Sequence, residues 1–188
     1  MEQISLSDRT DAIDKISKAG YNEILASTGS SRTAPVYENI ITEGGEDFFK
    51  YLTWIGLAKE PEMMVLSSIH HYHYDHSDLR GIKVLINLKK LNQIRHLDGF
   101  LHTLSKIMPA KACLSGYFMR SHHGTNTYGH YVKVLRELLS LMDPGKEKNL
   151  PQKNVEKLLE KNHFTILDMT EINGITYFWA QNSRHPGE

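Results

Sequence analysis

Three short apolar runs constrain this chain most. Met63 to Ile69, Val84 to Leu88 and Ala112 to Met119 are continuous stretches of the length expected for buried strands. After the second run, Ile94, Leu97, Phe100, Leu101, Leu104, Ile107 and Met108 recur at three- and four-residue steps, and Pro109 ends the pattern. A strand period giving way to a helix period and then to a strand again predicts parallel strands joined by crossover helices.

The rest of the chain extends this pattern. Ser7 to Gly20 predicts a first amphipathic helix carrying Ile13 and Ile16. The small and turn-forming residues STGSSRTAP, 27 to 35, predict a loop. Gly44-Gly45 precede EDFFKYLTWIGL, where Phe48, Tyr51, Leu52 and Ile55 line one face of a helix expected to pack on a sheet. The loop RSHHGTNTYGH is followed by a helix marked by Val132, Leu135, Leu138, Leu139 and Met142. NVEKLLEKN predicts a short helix and FTILDMT a strand. Asn173-Gly174 between Ile172 and Ile175 predicts a two-residue hairpin, because a type I′ turn needs positive φ at both central positions. The expected architecture is a three-layer α/β domain over residues 1 to 188. It has a mostly parallel Rossmann-like sheet, a C-terminal antiparallel hairpin and a mainly helical part over residues 1 to 60.

Composition narrows the function classes. Lysine plus arginine (22) balance aspartate plus glutamate (22), so no overall field attracts a phosphate backbone and nucleic acid is not expected as a partner. The apolar runs are far shorter than a membrane span, and the N-terminus lacks the pattern of a secretory signal, so a cytoplasmic protein is expected. One cysteine, Cys113, excludes an internal disulfide and a cysteine-rich zinc finger, and reads as a small buried strand residue. The chain also carries 11 histidines, which would make it appreciably cationic below about pH 6.5.

From Val84 to Trp179 the order is strand, long helix ending at Pro109, strand, irregular loop, helix, short helix, strand and tight hairpin. That order resembles the C-terminal half of class I adenosylmethionine-dependent methyltransferases, with LLEKNHFTILDMTEINGITYF in place of their closing segment. In that family an acidic, glycine-rich turn after the first strand brings backbone amides to the cofactor. Here Thr28-Gly29-Ser30 and Gly44-Gly45 are the nearest candidates, and each reads as a loop or as the start of a helix. The resemblance therefore implies the scaffold with no cofactor. The section INLKKLNQIRHLDGFLHTLSKIMP also resembles small proteins associated with bacterial surface-polysaccharide gene clusters.

The densest local chemistry is HHYHYDH at 70 to 76. His71, His73, Asp75 and His76 are similar to the HxHxDH signature of the metallo-β-lactamase superfamily, whose spacing turns imidazoles and a carboxylate toward one or two zinc ions at a strand's end. His122, His123, His130 and Asp168 could complete such a shell. The other reading of the cluster is a partly exposed polar edge with Tyr72 and Tyr74 packed on the next helix. Ser115 lacks a nucleophile-elbow context. Lys89, Lys90 and Arg95 flank an expected helix start at 92, where they would be solvated or meet a phosphate. A homodimer contact through the apolar face of the helix beginning near Glu46 is a further expectation.

Overall fold

The computed structural model describes residues 34–67, 79, 81–119 and 150–184. Helix α1 (Ala34–Asn39) runs into one π turn (Ile40–Gly44) and then α2 (Glu46–Trp54), followed by a 3-10 turn (Leu57–Lys59). Strand β1 (Met63–Leu66) and β2 (Val84–Asn87) come next, then a 3-10 turn (Leu91–Gln93), α3 (Leu97–Ile107) and β3 (Cys113–Met119). Helix α4 (Gln152–Lys161) and the hairpin strands β4 (Phe164–Ile172) and β5 (Ile175–Asn182) close the described part.

The five strands form one sheet in the order β1-β2-β3-β5-β4. β1, β2 and β3 are parallel, with Met63 opposite Val84 and Val84 opposite Cys113. The hairpin is antiparallel and joins through its second strand, Tyr117 facing Tyr177. This is the mixed α/β sheet expected from the sequence, parallel in its first half and closed by the hairpin. β2 is buried on both faces, as a strand with neighbours on both sides and helices above and below must be, and it reads as the unbroken run VLIN.

Two cores flank the sheet. On one face, α2 lays Phe48, Phe49, Tyr51 and Leu52 against Val84, Ile86, Tyr117 and Tyr177. The Phe48 and Tyr177 rings stack at 5.5 Å and 15°, and Tyr51 and Tyr177 at 5.5 Å and 26°. On the other face, Leu97, Leu101, Leu104 and Met108 of α3 and Val155 and Leu159 of α4 cover Leu85, Leu114, Phe118 and Phe178. The face of α2 expected to make a dimer contact is thus buried within the chain, Phe48, Tyr51 and Leu52 at 0% exposure.

The loop expected over 27 to 35 gives way at Ala34 to a helix and a π turn over residues 34 to 44, which the sequence did not announce. Pro35 lies in the first turn of α1, where a missing N–H breaks no helical hydrogen bond. Gly45, at φ +86, breaks the path between the π turn and α2, so Gly44-Gly45 acts at the start of a helix. The long helical pattern from Ile94 begins only at Leu97, because a 3-10 turn precedes it.

Side chains of one element close the ends of another. Asn182, at the end of β5, donates from Nδ2 to the carbonyls of Ser105 (3.1 Å) and Met108 (3.0 Å), acceptors that the C-terminus of α3 leaves open. Asp98 in the first turn of α3 accepts from Lys161 Nζ (2.6 Å) and Asn162 Nδ2 (2.9 Å) at the end of α4. The charge signs suit both helix dipoles. No helix among the described residues is long and apolar enough to cross a membrane.

Candidate functional site

In open α/β sheets, ligands bind outside the carboxyl ends of the parallel strands, where loops diverge and backbone groups are left unpaired. Here that end is formed by Leu66, Asn87 and Met119, the last residues of β1, β2 and β3. The polar side chains around it bond to neighbouring side-chain and backbone groups. Ser67 Oγ donates to Glu43 Oε1 at 2.5 Å, joining the end of β1 to the π turn. Asn87 Nδ2 donates to the carbonyl of Lys89 at 2.6 Å. Asn92 Oδ1 accepts from the Met119 amide at 2.8 Å, and its Nδ2 donates to the Met119 carbonyl at 3.1 Å.

Tyr117 is the hub of this end. Its hydroxyl donates toward the Leu88 carbonyl (2.8 Å) and lies 3.3 Å from the Glu43 carbonyl, tying the π turn to the segment after β2. Burial, with the Glu43 carboxylate adding to it, pushes the Tyr117 hydroxyl above the ordinary tyrosine range. Tyr117 therefore stays a neutral donor at any physiological pH. A tyrosine in that state positions backbone and cannot serve as a base.

His71, His73, Asp75 and His76, the expected metal ligands, lie outside the described residues, as do His122, His123, His130 and the Thr28-Gly29-Ser30 stretch. The strand expected ahead of the histidines is present as β1 and is shorter than the run, ending at Leu66. Asp168 is not close to that end. It sits on β4, the edge strand opposite β1 and four strand positions away, about 19 Å at the usual strand spacing. There its Oδ2 accepts from Tyr51 Oη (3.0 Å) and Thr170 Oγ1 (2.8 Å), which makes it a structural acceptor beneath α2. Among the described residues, no three His, Cys, Asp or Glu side chains converge on a point where a metal ion could sit.

The remaining candidates are placed as follows. Cys113 opens β3 and is half-buried, less enclosed than the sequence suggested. Burial raises its thiol and the Trp179 side chain opposes that effect, so a thiolate nucleophile is not favoured at neutral pH. Ser115 is fully buried and donates to the Phe178 carbonyl at 2.9 Å. Lys89 and Lys90 precede a 3-10 turn and not a helix start, and Lys90 Nζ lies 3.5 Å from Met119 Sδ. Arg95 precedes α3.

A cleft of about 250 Å³ opens beside β1, between the sheet and α3, lined by Met64, Leu66, Leu79, Leu85, Phe100 and Leu104 among others. Its lining carries one hydroxyl, that of Thr103, which donates to the Gly99 carbonyl at 2.9 Å. Such a wall can shelter an apolar group but holds nothing to orient or activate a reacting one.

Glu43, Asn87, Asn92 and Tyr117 were not singled out from the sequence. The available signal was an asparagine closing an apolar strand run in VLIN and a second five residues on. Asn87 finds its partner Lys89 two residues on, whereas the partner of Asn92, Met119, depends on how the chain returns through β3.

No family model matches this chain, and no curated protein matches its sequence. Among solved structures, the chain is similar to TnmH over 58% of its own length and 33% of that chain, with 15% identity and a TM-score of 0.42. It is similar to an O-methyltransferase family protein from Burkholderia thailandensis over 61% and 34%, with 13% identity and a TM-score of 0.39. A third is the magnesium protoporphyrin IX methyltransferase of Synechocystis, over 58% and 49%, with 19% identity and a TM-score of 0.35. The chain spans between a third and a half of the length of these structures.

Proposed function

We propose that this chain is a methyltransferase-like domain that acts as a binding or accessory module, without an adenosylmethionine site of its own, in the assembly of a surface polysaccharide. The observation that carries this reading is the pairing of polar groups at the carboxyl ends of the parallel strands. Glu43 with Ser67, Asn92 with Met119, and Tyr117 with Leu88 turn their donors and acceptors toward each other, where a cofactor-binding crevice needs them turned outward. The sequence after β1 adds support, since it holds no glycine between Gly56 and Gly81 to let backbone amides approach a ligand closely. The setting in polysaccharide assembly rests on the likeness of the segment from Ile86 to Pro109 noted above. Calorimetric titration with adenosylmethionine and a thermal-shift assay test the reading, the expected outcome being no saturable heat and an unchanged midpoint. Saturable binding together with methyl transfer to any acceptor would overturn it.

A second reading, metal-dependent hydrolysis through His71, His73, Asp75 and His76, is favoured by one observation. The motif begins five residues along the sequence past Leu66, the last residue of a parallel strand, and segments that follow such strands carry catalytic groups in α/β proteins. Zinc held there would lower the pKa of a bound water and supply a hydroxide nucleophile. Elemental analysis of protein purified without a histidine tag decides it. Metal in stoichiometric amount that survives dialysis, and falls away in His71→Ala and His73→Ala, supports a hydrolase, whereas substoichiometric metal lost on mild dialysis sinks it.

A further inference from the structure

We draw no further inference here: the strongest candidate, the apolar cleft between β1 and α3 lined by Met64, Leu66 and Phe100, carries nothing because nothing in the structure shows what covers it.

Discussion

Asn92 grips the backbone of Met119 from both sides, its Oδ1 accepting from the amide and its Nδ2 donating to the carbonyl, so that one side chain does the work of a neighbouring strand at the end of β3. Asn92 is 4% exposed. Asn92→Ala removes both bonds and leaves two backbone groups short of partners, at a cost of about 2 to 4 kcal/mol. Asn92→Asp keeps the acceptor, loses the donor and faces a carboxylate toward the Met119 carbonyl, so it is expected to be no milder. Urea unfolding followed by circular dichroism measures both. An Asn92→Asp variant as stable as wild type would mean the two-sided grip does not form.

Tyr117 and Tyr177 are both held above the ordinary tyrosine value of 10.0, by burial first, with Glu43 adding at Tyr117 and Asp47 at Tyr177. A raised folded pKa contributes stability that is complete below the unfolded value and is lost as pH rises through the folded one. The protein is therefore expected to lose stability above about pH 10, with part of its tyrosinate absorbance rising only as the fold opens. Tyr117→Phe should soften that alkaline limb. It should also cost about 1 to 3 kcal/mol at neutral pH through the unmet Leu88 carbonyl. Tyrosinate absorbance that saturates before the circular dichroism changes would contradict the burial of these rings.

Much of the fold was legible because its signals are local. VLIN, the three- and four-residue steps of α3, and Asn173-Gly174 each identify their element without knowledge of any neighbour. The helix and π turn at 34 to 44 were not legible, since their stability comes from Ile40 packing under the sheet and from Tyr37 Oη donating to the distant Ala58 carbonyl at 2.8 Å. The same limit applies at the carboxyl end of the strands. Ser67 and Glu43 lie 24 residues apart, and Asn92 and Met119 lie 27 apart. Only the sheet order brings them together, whereas a histidine cluster announces itself through spacing within seven residues. The hairpin shows the distinction within one element. Its turn was readable, but a bulge between Ile166 and Asp168 shifts the pairing and sets Asp168, not Leu167, opposite Trp179.

Asp98 gives the chain an acid-sensitive lock between α3 and α4. Lys161 first, and Asn162 next, hold its carboxyl below the ordinary aspartate value of 3.8. A depressed folded pKa contributes stability present above the unfolded value and lost as pH falls through the folded one. Wild type should therefore exceed Asp98→Asn in stability at neutral pH, and the two curves should converge as pH drops below about 4. The pair is exposed, so the difference should also shrink in high salt. Urea midpoints measured across pH for both proteins check this. A gap that persists unchanged into strong acid would show that the lock is not electrostatic.

Gly174 tests the hairpin on strain alone. Asn173 and Gly174 have φ of +51 and +78, as a type I′ turn requires, and a Cβ at Gly174 would meet nothing within 4 Å. Space is therefore not the issue, and the cost of substitution is that of holding a side chain at positive φ. Valine, branched at Cβ, suffers most, at about 1 to 3 kcal/mol. Asparagine tolerates the left-handed region and should cost least, with alanine between them. At about 2 to 4 °C per kcal/mol for a chain of this size, Gly174→Val should melt several degrees below wild type. Gly81→Ala is the control, because Gly81 also has open space around its missing Cβ but no positive φ, and it should leave the midpoint unchanged. The turn also holds α2, through Asn173 Nδ2 donating to Asp47 Oδ2 at 2.8 Å, so the loss should appear in near-ultraviolet signals from the Tyr51 and Tyr177 stack. Equal melting temperatures for wild type, Gly174→Asn and Gly174→Val would mean that residue 174 is not at positive φ, and that β4 and β5 do not meet through a two-residue turn.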